Sequence, residues 1–256
     1  MQTNHPYSLF HALMGVFLTI GILIGIPINM KGFKTVWEFF LYGSKEPMTA
    51  EILMESLLSS SVVFAIILLM LWGMGRFLRS PADLDGSGEV TVPSCAHRRE
   101  AVLTAVKFAP LLTLIALGLN FLGGHVIAWV THREPYEQVL VTCFTNGSYS
   151  LGLRALLVLI VLLQAPLLEE PIFRGVLFRG FSRVFSVGMA MGLSSVVFAI
   201  VHLHAASFVA LWFLGMSFAW LYHRTGSILA PITAHFIFNG TNLVLLFLFP
   251  DLVSHS

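Results

Sequence analysis

Four side chains in the last third of the chain have the types that hydrolysis of a carbonyl compound requires: Glu169, His202, His235 and Asn239. They stand in three short polar islands within apolar text: Glu169-Glu170-Pro171-Ile172-Phe173-Arg174, Phe198-Ala199-Ile200-Val201-His202 and His235-Phe236-Ile237-Phe238-Asn239. A glutamate in a low-dielectric pocket can act as a general base on water. A histidine beside it can hold that water, and histidine and asparagine are standard donors to a tetrahedral oxyanion. The set suits a peptide or ester bond. The islands contain no GxSxG elbow and neither of the two cysteines, which argues against a covalent serine or cysteine route. HExxH is absent as well. A zinc ion held by Glu169, His202 and His235 from three helices stays chemically open.

Helical spacing separates the adjacent glutamates. Successive residues project about 100° apart on a helix, and residues four apart nearly overlay. Glu170 and Arg174 are four apart, which predicts an ion pair at the membrane interface, bracing the site. Glu169 points toward the face of Pro166 and Phe173 and has no charged partner in its own helix. Acids inside a membrane usually face a cavity; the bland alternative is snorkelling to the headgroups. Pro171 cannot donate to the carbonyl of Leu167 and biases Glu170 away from helical angles, so a kink is expected there. His202 shares a face with Ser195 and Phe198, while His204 and His223 read as interface residues near loops. His235, Asn239 and Asn242 form one polar stripe, for which interhelical hydrogen bonding is the structural alternative.

The elements that must position these groups are membrane helices. The 256 residues are 57% hydrophobic and 11% charged, where soluble domains are about a quarter charged. Apolar runs long enough to cross a bilayer fall at 8–30, 52–75, 101–130, 151–169, 187–204, 206–223 and 229–249. The expected fold is all-α, a polytopic transmembrane bundle of seven spans (eight as the alternative), with the active site buried within it and one membrane domain over 1–256. The basic piece 171–185 either continues the fourth helix or lies at the interface. The first run, with no Lys or Arg before it, reads as a helix and not as a cleaved signal peptide. Arg76, Arg79, Arg98 and Arg99, with Arg174, Arg179 and Arg183, favour an inside N-terminus against Lys31, Lys34 and Lys45 in the opposing loop.

Other signals are weaker. Asp83, Asp85, Ser87 and Gly88 imitate a calcium loop, but Ser94 stands where the bidentate glutamate belongs, and the segment reads as a solvated turn. Cys95 and Cys143 show no CxxC pairing and suggest neither a disulfide framework nor a zinc site. A net charge of +1 without a basic run gives no reason to expect nucleic acid.

The three islands together, EEPIFRG, FAIVH and HFIFN, in this order, resemble the signature EExxxR, FxxxH, HxxxN of the CPBP family of intramembrane proteases, also called Abi, which includes the CAAX prenyl endopeptidases. The resemblance covers residues 150–245, the catalytic core it implies. It puts the catalytic glutamate on Glu169, the water-positioning histidine on His202, the oxyanion pair on His235 and Asn239, and the supporting positions on Glu170 and Arg174. It implies an endopeptidase in the cell (inner) membrane, opening toward the cytoplasm, acting in lipid on a membrane-associated peptide or protein. Members have been described both as metal-independent glutamate proteases and as metalloproteases; no cofactor is the favoured expectation here, with zinc at Glu169, His202 and His235 as the alternative. Bacterial relatives are linked with bacteriocin maturation and self-immunity, so a non-enzymatic scaffold or immunity protein is the competing class. A proton-coupled transporter fits less well, since the polar groups crowd one third of the chain without a matching half.

Overall fold

The computed structural model describes residues 62, 95–133, 141, 143–144 and 149–249. The expected spans at 8–30 and, apart from Val62, 52–75, and the calcium-like turn at 83–94, lie outside the described residues. Within them the regular structure is entirely helical. Five helices carry the site: α1 (Cys95–Thr131), α2 (Leu151–Phe181), α3 (Val187–Val201), α4 (Phe208–Thr225) and α5 (Leu229–Leu248). Three of these, α1 from His97 onward, α2 and α5, are long and apolar enough to cross a membrane, and α3 is a shorter apolar helix. With the composition, they make this an integral membrane protein.

Small residues let the helices approach. Ala101, Ala105, Ala109 and Ala116 form a buried stripe on α1 that meets Leu214, Phe218 and Leu221 of α4 and Ala230 and Ala234 of α5. This is how membrane helices associate when lipid is as apolar as the side chains. The opposite face of α1 exposes Leu111, Leu114 and Trp129, as a lipid-facing surface would. α4 packs along α3, and the middle of α2 lies against α5 and α3. Ser150 and Ser186 cap α2 and α3 by accepting the backbone N–H of Leu153 and Met189. α4 ends on Gly226 in the left-handed region, φ 62°, where a Cβ is penalised.

Helix α2 contains the point where a kink is expected. It runs without a break through Pro166 and Pro171, and both Glu170 and Pro171 keep right-handed helical angles. Two π-helical stretches, Ile160–Gln164 and Pro171–Phe178, flank the segment Ala165–Glu170. Such turns often mark functional segments. The basic piece from 171 onward thus continues the fourth expected span to Phe181 and then turns.

The α3–α4 crossing is set at Gly215. A Cβ there would lie 2.8 Å from Cβ and 3.0 Å from Cα of Ser195. Because one of those atoms is backbone, the helices themselves must move apart. Gly215→Ala is expected to lower stability by about 1–3 kcal/mol, measured as a lower unfolding midpoint in mixed micelles.

Candidate active site

Glu170 is the most deeply buried acid of the described site, 0% exposed, and Arg174 is 1% exposed. Arg174 Nε stands 3.1 Å from Glu170 Oε2, and its Nη2 donates to the carbonyl of Gly215 at 3.2 Å. The guanidinium also lies over the rings of Phe198, Phe218 and Phe173, at 4.7, 5.3 and 5.8 Å from their centroids. The expected spacing of four therefore gives its ion pair, and the pair is fully buried among the helices. A buried cation is tolerated there because a carboxylate, a backbone carbonyl and aromatic faces replace water around it.

The second oxygen of Glu170 is 2.8 Å from His235 Nδ1 on α5. A carboxylate oxygen can only accept, so Nδ1 carries the hydrogen and Nε2 is left for other partners. His235 stacks on Phe218, with centroids 5.1 Å apart and planes 23° from parallel. Its ring is thus fixed on one face by Phe218 and at one nitrogen by Glu170.

Glu169 leaves the helix in another direction, and its side chain keeps 18% exposure. It faces His202 of α3, with Oε2 and Nε2 4.0 Å apart, and that oxygen accepts no hydrogen bond from a protein group. His202 Nδ1 donates to the carbonyl of Phe198 at 2.7 Å, one turn back. This fixes the tautomer: Nε2 presents a lone pair toward Glu169. His202 closes α3, and the next residue, Leu203, takes φ 50°, a costly angle for a side chain with a Cβ. The chain so turns away directly after presenting the imidazole.

The two histidines do not share one glutamate. Glu169 faces His202 and Glu170 holds His235, while the Phe198 ring lies between them, 4.7 Å from His202 and 6.2 Å from His235. Glu169 thus stands opposite His202, and His235 is held by the neighbouring acid. Asn239, one turn beyond His235, donates its Nδ2 to the carbonyl of Val161 in α2 at 2.8 Å. Asn242 bonds within α5, to Phe238. His204 accepts the N–H of Ser207 in the α3–α4 turn and helps start α4. Cys143 is a free, buried thiol, and burial pushes it above the usual thiol range.

Three contributors lie outside the motifs: the Gly215 carbonyl, the Phe218 ring and the Val161 carbonyl. Phe198 opens the second island, four residues before His202. Among the described residues no three His, Cys, Asp or Glu side chains are arranged to hold a metal ion. With His235 committed to Glu170 and Glu169 facing His202, the set Glu169, His202 and His235 does not converge as a zinc triad.

Residues 151–241 match the family model described as "Type II CAAX prenyl endopeptidase Rce1-like". A curated relative, described as "Putative membrane peptidase YdiL" of Bacillus subtilis (strain 168), is 36% identical over 84 residues, 33% of this chain and 34% of the relative. The match thus spans about a third of the length of that relative. No solved structure matches the chain. The segment that holds all three polar islands is the segment that carries the family's signature, as their order and spacing lead one to expect.

Proposed function

We propose that the protein is an intramembrane endopeptidase of the CAAX-processing kind, active in the cell (inner) membrane with its site toward the cytoplasm, and that residues 150–245 are its catalytic core within a single membrane domain of seven spans. The observation that carries this reading is the facing of Glu169 and His202, an acid and an imidazole lone pair 4.0 Å apart. A water bound between them donates one hydrogen to each acceptor and keeps a lone pair for attack. As that oxygen adds to the scissile carbonyl, Glu169 takes its proton, and the carbonyl oxygen becomes an oxyanion. His235 Nε2 and the second N–H of Asn239 stabilise it. Collapse of the intermediate breaks the C–N bond, and the proton held by Glu169 passes to the leaving nitrogen.

His235 has a condition to meet. With Nδ1–H given to Glu170, Nε2 donates only when the ring holds a second proton. Glu170 is the counter-charge for that imidazolium, and Arg174 in turn fixes Glu170. No metal is assigned a step, since the candidate zinc ligands do not converge. The substrate proposed is a membrane-associated peptide or protein; a prenylated CAAX tail is the form that the family description suggests.

The test is cleavage of a prenylated CAAX peptide and of an unmodified membrane-anchored peptide in proteoliposomes, with and without a chelator. Turnover that survives the chelator is expected. Asn239→Ala is expected to lower kcat by roughly 10²–10³ with KM little changed, the usual cost of one oxyanion donor. A kcat within a few-fold of wild type would return Asn239 to a purely structural part.

A further inference from the structure

The partner of Asn239 is an unusual carbonyl. In α-helical register the Val161 oxygen would accept the N–H of Ala165, but that N–H goes to Ile160, five residues back, in the π turn Ile160–Gln164. In π register the donor would be residue 166, and that residue is a proline. Neither register supplies Val161 with a helical partner. A carbonyl without one in an apolar bundle is costly, and a side chain from another helix is the available remedy. Asn239 Nδ2 meets it at 2.8 Å. Pro166 is fully buried beside this point, and the π turn packs against α5.

We propose that Pro166 is a positioning residue for Asn239: by denying the Val161 carbonyl a backbone donor, it makes that carbonyl the anchor that orients the asparagine amide. This rests on the functional reading above, in which Asn239 is an oxyanion donor. An amide has two N–H groups. Binding the first to a fixed carbonyl sets the plane of the group, and the second then points in one direction before substrate arrives. A donor that needs no reorientation during the reaction is worth more than a free one. Pro166 never touches substrate; its effect passes through Val161 and Asn239.

Pro166→Ala restores an N–H that can reach Val161, and Pro166→Val does the same with a larger side chain should the smaller one leave the protein unfolded. The first measurement is independent of activity. Asn239→Ala should lower the unfolding midpoint in mixed micelles in the wild-type background and lower it much less alongside Pro166→Ala, where the backbone then satisfies Val161. Additive shifts overturn the anchor. The second is kinetic. Pro166→Ala alone should lower kcat by about tenfold, part of the loss expected for a missing oxyanion donor, with KM within about twofold. Added to Asn239→Ala, it should change kcat by less than about twofold, as for two residues acting through one group. Equal losses in both backgrounds overturn the positioning role. A wild-type protein with no peptidase activity sinks the functional reading, and the positioning role with it, while the stability cycle still decides whether the anchor exists.

Discussion

Glu169→Gln is expected to reduce peptide cleavage to background, a loss on the order of 10⁴ in kcat, at the upper end for removal of a general base. The substitution keeps the shape of the side chain and takes away only its ability to accept a proton. The amide also presents a hydrogen-bond donor in place of one acceptor, so a water between residue 169 and His202 Nε2 is oriented differently. Stability should hardly change. Glu169 Oε2 accepts no protein hydrogen bond and the side chain is partly exposed, so no packed partner is orphaned. The check is paired: cleavage in proteoliposomes, and the unfolding midpoint of the same preparation. More than about 1% of wild-type turnover in a folded Glu169→Gln protein would sink the assignment of Glu169 as base, because the remaining groups have no other carboxylate free to take the proton.

The division of labour between the two glutamates was partly legible in the chain itself. Adjacent residues on a helix cannot face the same way, and a spacing of four between Glu170 and Arg174 fixed which of the two acids would be paired. That inference needs only helix geometry, and the 3.1 Å pair bears it out. Spacing within one helix says nothing about which residue of another helix arrives opposite, so the pairing of Glu170 with His235 was not readable. Nor was the full burial of the ion pair. The Gly215 carbonyl and the Phe218 ring, which help to make that burial tolerable, lie outside the motifs, whereas Phe173 and Phe198 lie within them. The π turns at Ile160–Gln164 and Pro171–Phe178 carry no signal in the sequence either, since that register depends on how α2 packs against α3 and α5. The Val161 carbonyl was invisible for the same reason. Its lack of a partner follows from Pro166 only once the π register of Ile160–Gln164 is known.

Glu170→Gln is expected to be nearly as damaging as Glu169→Gln, by a different route. The Glu170 carboxylate accepts from His235 Nδ1–H on one oxygen and is ion-paired with the Arg174 guanidinium through the other. Glutamine has one acceptor and one donor at those positions. If its oxygen faces His235, its NH₂ meets the Arg174 N–H groups; if it faces Arg174, its NH₂ meets Nδ1 and selects the wrong imidazole tautomer. The first orientation sets buried donors against each other and the second fixes the wrong tautomer; in both, Arg174 loses its counter-charge, which costs about 3–5 kcal/mol in a buried pair. Catalysis should fall by roughly 10²–10⁴, by analogy with loss of the carboxylate that orients a catalytic histidine. Stability loss alone could mimic this result, and a second variant separates the two. Glu170→Gln combined with Arg174→Met removes the stranded cation with its partner, so it should recover part of the unfolding midpoint lost in Glu170→Gln. It should not recover kcat, because His235 still lacks the carboxylate that fixes Nδ1 and balances a second proton on the ring. If cleavage returns together with stability, Glu170 is only a brace for the helix end. If stability returns and cleavage does not, the buried acid works through His235, and both members of the pair serve the reaction, each through its own histidine.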